Sequence, residues 1–235
     1  MTRDRLTTLL APALIEQVPR DHTQPLRGFH RRRVVAAVAL VVGSTLLGFA
    51  LSVRPGASSF YAWTMGVAAA WVVGGVLSGP LHLGYIPFRG ELRRPVVTPV
   101  LIGVACGAVF LAGSLVLREI GPAGDYIVNL LAHARRGSMT LVAVVAVANG
   151  IAEEIFFRGA VYAAIGRKHA VVVSTLVYTA ATVATGNPTL VLAAATLGLV
   201  LALQRRASGG ILAPILTHVT WSLIMLFTLP LIFPG

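Results

Sequence analysis

Charge is scarce in this chain. Asp, Glu, Lys and Arg make up 11% of 235 residues, against roughly a quarter in an ordinary soluble domain. A water-soluble fold of this size needs polar groups over most of its surface, so a soluble globular domain is excluded. Cysteine is nearly absent. Cys106 stands alone inside an apolar run, which excludes an intramolecular disulfide, a cysteine redox pair and a cysteine-based metal site. Acid is scarcer than base, with 8 Asp and Glu against 19 Lys and Arg. A nucleic-acid binder gathers its cations on a water-exposed face, whereas here they come in short bursts between long apolar runs. No nucleic-acid partner is expected. The chain also has no internal repeat, no low-complexity stretch and no segment that reads as a soluble domain.

What it has is apolar length: 56% of residues are hydrophobic and the mean hydropathy is +0.82. The pattern predicts an all-α polytopic membrane helix bundle with about seven transmembrane helices. The spans are placed at 34–53, 60–81, 96–117, 139–165, 170–185, 189–203 and 211–233; the fifth and sixth are short for a crossing. Residues 1–33 are expected as a cytoplasmic tail, too polar for a secretory signal. Leu6, Leu9, Leu10, Ala13 and Leu14 fall at helical spacing there, so an interfacial helix weakened by Pro12 is one option and an unstructured tail the other. Residues 34–235 form the transmembrane domain.

With the N-terminus inside, the cytoplasmic segments carry Arg3, Arg5, Arg20, Arg27, Arg31, Arg32, Arg33, Arg89, Arg93, Arg94, Arg167, Lys168, Arg205 and Arg206. The outer segments carry only Arg54, Arg118, Arg135 and Arg136. Excess cytoplasmic arginine sets orientation, so a multi-pass cell-membrane protein with a cytoplasmic N-terminus is expected. Arg135 and Arg136 sit on the wrong side, and the loop between Arg118 and Ser138 has room for a short surface helix.

Ionisable groups inside a span are costly and are usually retained for a role. They cluster here in Asn149-Gly150-Ile151-Ala152-Glu153-Glu154-Ile155-Phe156-Phe157-Arg158. On a helix Glu154 and Arg158 are i,i+4 neighbours and can pair. Glu153 is turned about 100° away, on the stripe of Asn149 and Phe157. Its carboxylate is then the one left to act as general base on a water. The bland alternative is a helix end among the headgroups. Against it, Glu154 lies about 12 residues, or roughly 18 Å, from the boundary near Gly166.

Two further spans offer polar faces. In the seventh, His218 and Ser222 are i,i+4 within Thr217-His218-Val219-Thr220-Trp221-Ser222. In the fifth, Ser174, Tyr178, Thr182 and Thr185 make one stripe. Either face alone could be satisfied by neighbouring helices or its own backbone. Three such helices together suggest a shared, water-containing cavity. Gly103 and Gly107 form a GxxxG, a possible packing face. His22, His82, His133 and His169 read as loop or boundary residues.

Glu153-Glu154-Ile155-Phe156-Phe157-Arg158 resembles the Glu-Glu-x-x-x-Arg motif of the CPBP family, the CAAX proteases and bacteriocin-processing proteins also called Abi. The approach Gly209 to Thr217 and then His218 resembles the family's His-x-x-x-Asn motif, with Ser222 where Asn is expected. Tyr178-Thr179-Ala180-Ala181-Thr182 is similar to Phe-x-x-x-His, with Tyr for Phe and Thr182 for His. The family-like region is about 139–231. The resemblance implies an intramembrane endopeptidase acting on membrane-anchored or membrane-proximal peptides within the lipid bilayer. It gives Glu153 the water, makes Glu154 and Arg158 shape the site, and lets His218 assist proton transfer or the oxyanion, with Tyr178, Thr182, Ser222 and Asn149 supporting. No cofactor is required. A divalent metal such as zinc, held by Glu153 and His218, is possible but disfavoured, because Thr182 removes a ligand and Glu154 is committed to Arg158.

The alternative is a catalytically inactive pseudo-protease that binds or scaffolds membrane proteins, motivated by Thr182 and Ser222. A small transporter ranks last, since the paired interrupted helices of such folds are not seen.

Overall fold

The computed structural model describes residues 10–20, 22–88, 90–166 and 168–233. Arg3, Arg5, Leu6, Leu9, Arg89 and Arg167 lie outside the described residues. The helices are α1 (Leu26–Ser52), α2 (Ser59–Ser78), α3 (Val97–Arg118), α4 (Gly121–Arg135), α5 (Met139–Ile165), α6 (Ala170–Val183), α7 (Pro188–Ser208) and α8 (Leu212–Ile232). A two-stranded hairpin, β1 (Ile86–Phe88) and β2 (Glu91–Arg93), joins α2 to α3.

Six of these helices, not the expected seven, are long and apolar enough to cross a membrane. The segment that falls short is α6. Its 14 residues reach about 21 Å at helical rise, against roughly 30 Å of hydrocarbon. Gly186-Asn187-Pro188 ends it. Asn187 accepts hydrogen bonds from the N–H groups of Thr189 and Leu190 to start α7, and its amide donates to the Tyr126 carbonyl of α4. Helix boundaries also differ from the apolar runs. α1 begins at Leu26 and carries Arg27 and Arg31 to Arg33 within it, and α7 continues to Ser208, carrying Arg205 and Arg206.

α1 packs on α2, α3 on α8, and α6 on α7, while α5 runs through the middle against α2 and α8. One core gathers around Trp71, which stacks on Phe156 at 4.5 Å between ring centres and meets Phe157 edge-on. A smaller one joins Ile127 and Leu131 of α4 to Met225 and Leu229 of α8. Arg118 to Ser138 therefore contains a helix, as its length allowed. Large apolar side chains such as Val38, Val41, Phe49, Leu101 and Val109 stay exposed on the outer faces, as expected where lipid replaces water.

Gly103 and Gly107 do form a packing face. A Cβ at Gly103 would press on Thr220 and the Thr217 carbonyl, and one at Gly107 on Ile224. Just before the start of α8, backbones replace side chains. Tyr85 N–H donates to the Ser208 carbonyl, and Ile211 N–H to that of His82. Gly84, at φ +84°, and Gly210 permit this approach because a Cβ on either would collide with the other strand of chain.

The N-terminal segment makes a single widened turn, Ala11–Ile15, with Ala13 buried and Pro12 in its first positions. It rests on the end of α7, where Val18 N–H donates to the Ala207 carbonyl.

Gly103→Leu is expected to lower stability by about 1–3 kcal/mol through overpacking. Gly113→Leu, where nothing lies within 4 Å of the new Cβ, should leave the thermal unfolding midpoint in detergent within about 1 °C of wild type.

Candidate active site

α5 is regular from Met139 to Glu153 and then widens over Glu154–Val161 into a segment of i→i+5 turns before closing again. Such wide turns inside α-helices frequently mark functional sites. They put Glu154, Phe156, Phe157, Arg158 and Ala160 all inside the bundle.

Glu154 and Arg158 pair as their spacing predicts. Arg158 Nη1 donates to Glu154 Oε1 at 3.0 Å, with both side chains essentially inaccessible. Arg158 Nη2 donates to the Gly198 carbonyl at 3.0 Å, and its guanidinium lies over the Tyr178 ring at 4.5 Å. Removing one partner of a buried pair strands the other, which is far worse than never having had either.

The pairing of His218 departs from expectation. Its Nδ1 sits 2.8 Å from Glu154 Oε1, the oxygen that also takes Arg158. Glu154 is therefore committed to two cations or donors, not to Arg158 alone. An ionised Glu154 accepts from Nδ1–H, which fixes the tautomer and leaves Nε2 as the reactive nitrogen. Glu154 Oε2 is buried with no partner. Glu153, half-buried, takes a different neighbour, since the Tyr178 hydroxyl donates to its Oε2 at 2.6 Å.

Glu153, Tyr178, Thr182, Thr185 and His218 line one cavity of about 160 Å³, closed by Trp71, Phe157, Trp221 and aliphatic side chains. The structure thus brings Glu153 and His218 to one chamber. Leu51 near the end of α1, Thr185 after α6 and Leu190 near the start of α7 also line it. Its length therefore runs toward the end of the bundle away from Arg205 and Arg206.

Three expected supporting residues behave differently. Asn149 is not in the lining, and its amide donates to the Val145 carbonyl of its own helix. Ser222 does not line the cavity either, because α8 turns His218 and Trp221 inward. Thr182 does line it, but its hydroxyl donates back to the Tyr178 carbonyl at 2.9 Å, the usual recourse of threonine in a membrane helix. Of the fifth-span stripe, Ser174 is buried and bonded to Val171, while Tyr178, Thr182 and Thr185 reach the cavity.

Two contributions escaped the sequence. Trp221 lines the cavity, and its indole Nε1–H is buried without a partner; its place three residues after His218 was the available signal. Gln204 donates to Thr217 Oγ at 2.8 Å, and Thr217 in turn donates to the Pro99 carbonyl at 2.8 Å. This chain of bonds ties α7, α8 and α3 together beside His218. Nothing local in the sequence connects residues so far apart.

Among the described residues no group of three or more His, Cys, Asp or Glu is placed to hold a metal ion.

A polytopic helical membrane protein with a buried Glu–Arg–His cluster beside an internal cavity is the class that fold and site define. Residues 135–224 match the family model for type II CAAX prenyl endopeptidase Rce1-like proteins. This segment, from the end of α4 into α8, holds Glu153, Glu154, Arg158, Tyr178, Thr182, His218, Trp221 and Ser222, and the match agrees with the CPBP/Abi resemblance drawn from the motif. Comparison with curated proteins and with solved structures finds no match.

Arg158→Ala should cost about 3–5 kcal/mol, because it leaves Glu154 buried and half-partnered. Adding Glu154→Gln to that variant should recover part of the loss. The unfolding midpoints of the two single variants and the double variant, arranged as a double-mutant cycle, measure the coupling.

Proposed function

We propose that the chain is an intramembrane endopeptidase that hydrolyses peptide bonds of membrane-anchored or membrane-proximal substrates with a glutamate-activated water. The observation that carries this reading is the division of labour between adjacent carboxylates. Glu154 is fully buried, neutralised by Arg158 and bonded to His218, whereas Glu153 faces a cavity that could admit water.

In this mechanism Glu153 takes a proton from water as the oxygen attacks the scissile carbonyl carbon. The Tyr178 hydroxyl holds the carboxylate by one oxygen and leaves the other for the water. The tetrahedral oxyanion is stabilised by His218, whose ring Glu154 orients, and by the unpartnered Trp221 N–H. The proton held by Glu153 passes to the departing amine as the C–N bond breaks. No step requires a metal or a cofactor. The family match over 135–224 supports this reaction class. A cytoplasmic N-terminus is supported by Arg20, Arg32, Arg205 and Arg206 collecting at one end of the bundle. In that orientation the Glu153 cavity extends toward the outer half of the membrane.

A second reading, a pseudo-protease that binds membrane segments without cutting them, is favoured by Thr182, whose hydroxyl is spent on its own helix, and by Ser222, which does not line the cavity. On that reading, Thr182→His with Ser222→Asn should create activity that wild type lacks.

Purified in detergent and assayed on membrane-anchored reporter peptides, wild type should cleave. Glu153→Gln should lose about 10²–10⁴-fold in rate at an unchanged unfolding midpoint. Equal turnover by wild type and Glu153→Gln would overturn the assignment. Cleavage seen only after the two restoring substitutions would select the second reading.

A further inference from the structure

Arg32 and Arg205 are buried more deeply than orientation of the bundle requires, and Arg206 beside them is half-buried. An arginine that only marks the cytoplasmic side can sit among water or headgroups. Arg32 is 0% exposed. Its nitrogens donate to Gln24 Oε1 (3.1 Å), Ser78 Oγ (3.3 Å) and the Pro80 carbonyl (3.1 Å), all neutral. Arg205 is 5% exposed; its Nε donates to the Arg158 carbonyl at 2.7 Å, and its guanidinium lies over the Tyr162 ring. Arg206 reaches the Leu14 carbonyl at 3.4 Å, and its buried Nε has no partner.

These three guanidinium groups line one cavity of about 820 Å³, between the start of α1, the end of α2, the α5–α6 connection and the end of α7. No carboxylate belongs to its described lining. Glu16 is exposed and does not line it, and Asp21 lies outside the described residues. Cations withdrawn from water and left with neutral partners are costly. His82, stacked on His22 at 3.8 Å between ring centres, reports the resulting field. Its imidazole is held below its ordinary pKa by burial, then by Arg205 and Arg32.

We propose that this cavity is a binding site for a phosphate-bearing anion, gripped by the guanidinium forks of Arg32, Arg205 and Arg206. Planar guanidinium groups match phosphate oxygens two at a time. The volume lies within the usual range for a small-ligand site. The cavity shares no lining residue with the one at Glu153, whose carboxylate would repel such a ligand. Its wall also includes Val172, which is exposed on the outer face of α6, so a phospholipid headgroup and a soluble phosphate both have access.

The full chain in detergent micelles is titrated with cardiolipin, phosphatidylcholine or sodium pyrophosphate at fixed ionic strength, and thermal unfolding is followed. Cardiolipin or pyrophosphate should raise the midpoint by about 5 °C at saturation, and phosphatidylcholine should not. Arg206→Gln should need about tenfold more ligand for the same shift; Arg206→Lys, which removes the two-pronged fork, serves in its place if that variant does not fold. A response to cardiolipin alone assigns the site to a lipid headgroup, and a response to pyrophosphate assigns it to a soluble phosphate. No shift with either, an equal shift with phosphatidylcholine, or an undiminished response in the variant overturns the proposal.

Discussion

Everything at the centre of this bundle depends on one carboxylate that has no access to water. Glu154 sits among helices whose outer faces meet lipid, and such a group persists only where its charge is answered at bonding distance. Arg158 supplies the charge and His218 a directed ring nitrogen. The consequences reach outward from there. Arg158 must be supported in turn, by the Gly198 carbonyl from α7 and the face of Tyr178 from α6. His218 must be held in α8, beside the Gln204–Thr217–Pro99 chain of bonds. Four helices are thus joined by partners of a single acid, and the second acid is released to face the cavity.

Much of this was legible in the sequence, and the part that was not has a physical pattern. Long apolar runs without charge announce helices in lipid, and i,i+4 spacing announces the Glu154–Arg158 pair, because both are local properties of one helix. The GxxxG at Gly103 is local in the same sense. The choice of His218 for Glu154 rather than Glu153 depends on how α5 and α8 are rotated against each other, which no spacing within either helix encodes. Ser222 and Trp221 differ by one position, and only the packed helix decides which one lines the chamber. The fifth span, already short by its length in sequence, stops short of a crossing because Gly186-Asn187-Pro188 closes it and only 14 residues are helical.

The basic end was hidden for another reason. Arg20, Arg32, His82 and Arg205 come from segments far apart in the chain, and each alone reads as a boundary residue. Only the backbone contact between Gly84 and Gly210, with the N-terminal turn lying across α7, brings them to one cavity. The bundle is therefore polarised along its length: a cavity lined by arginine and histidine at one pole, the glutamate chamber running toward the other. Arg205 bonded to the Arg158 carbonyl is the bond that passes between them.

The widened segment of α5 also bears on how this helix tolerates change. An i→i+5 turn is geometrically an extra residue absorbed without breaking the rod. Deleting one position between Glu154 and Val161 would let the coil tighten back to 3.6 residues per turn and leave the helix beyond it facing nearly as before. Tyr162 would stay near Arg205, whereas the side chains inside the segment would lose the spacing that turns Glu154, Phe157 and Arg158 all inward. The residue count across those eight positions therefore sets the site's own side chains rather than the direction of the rod that carries them.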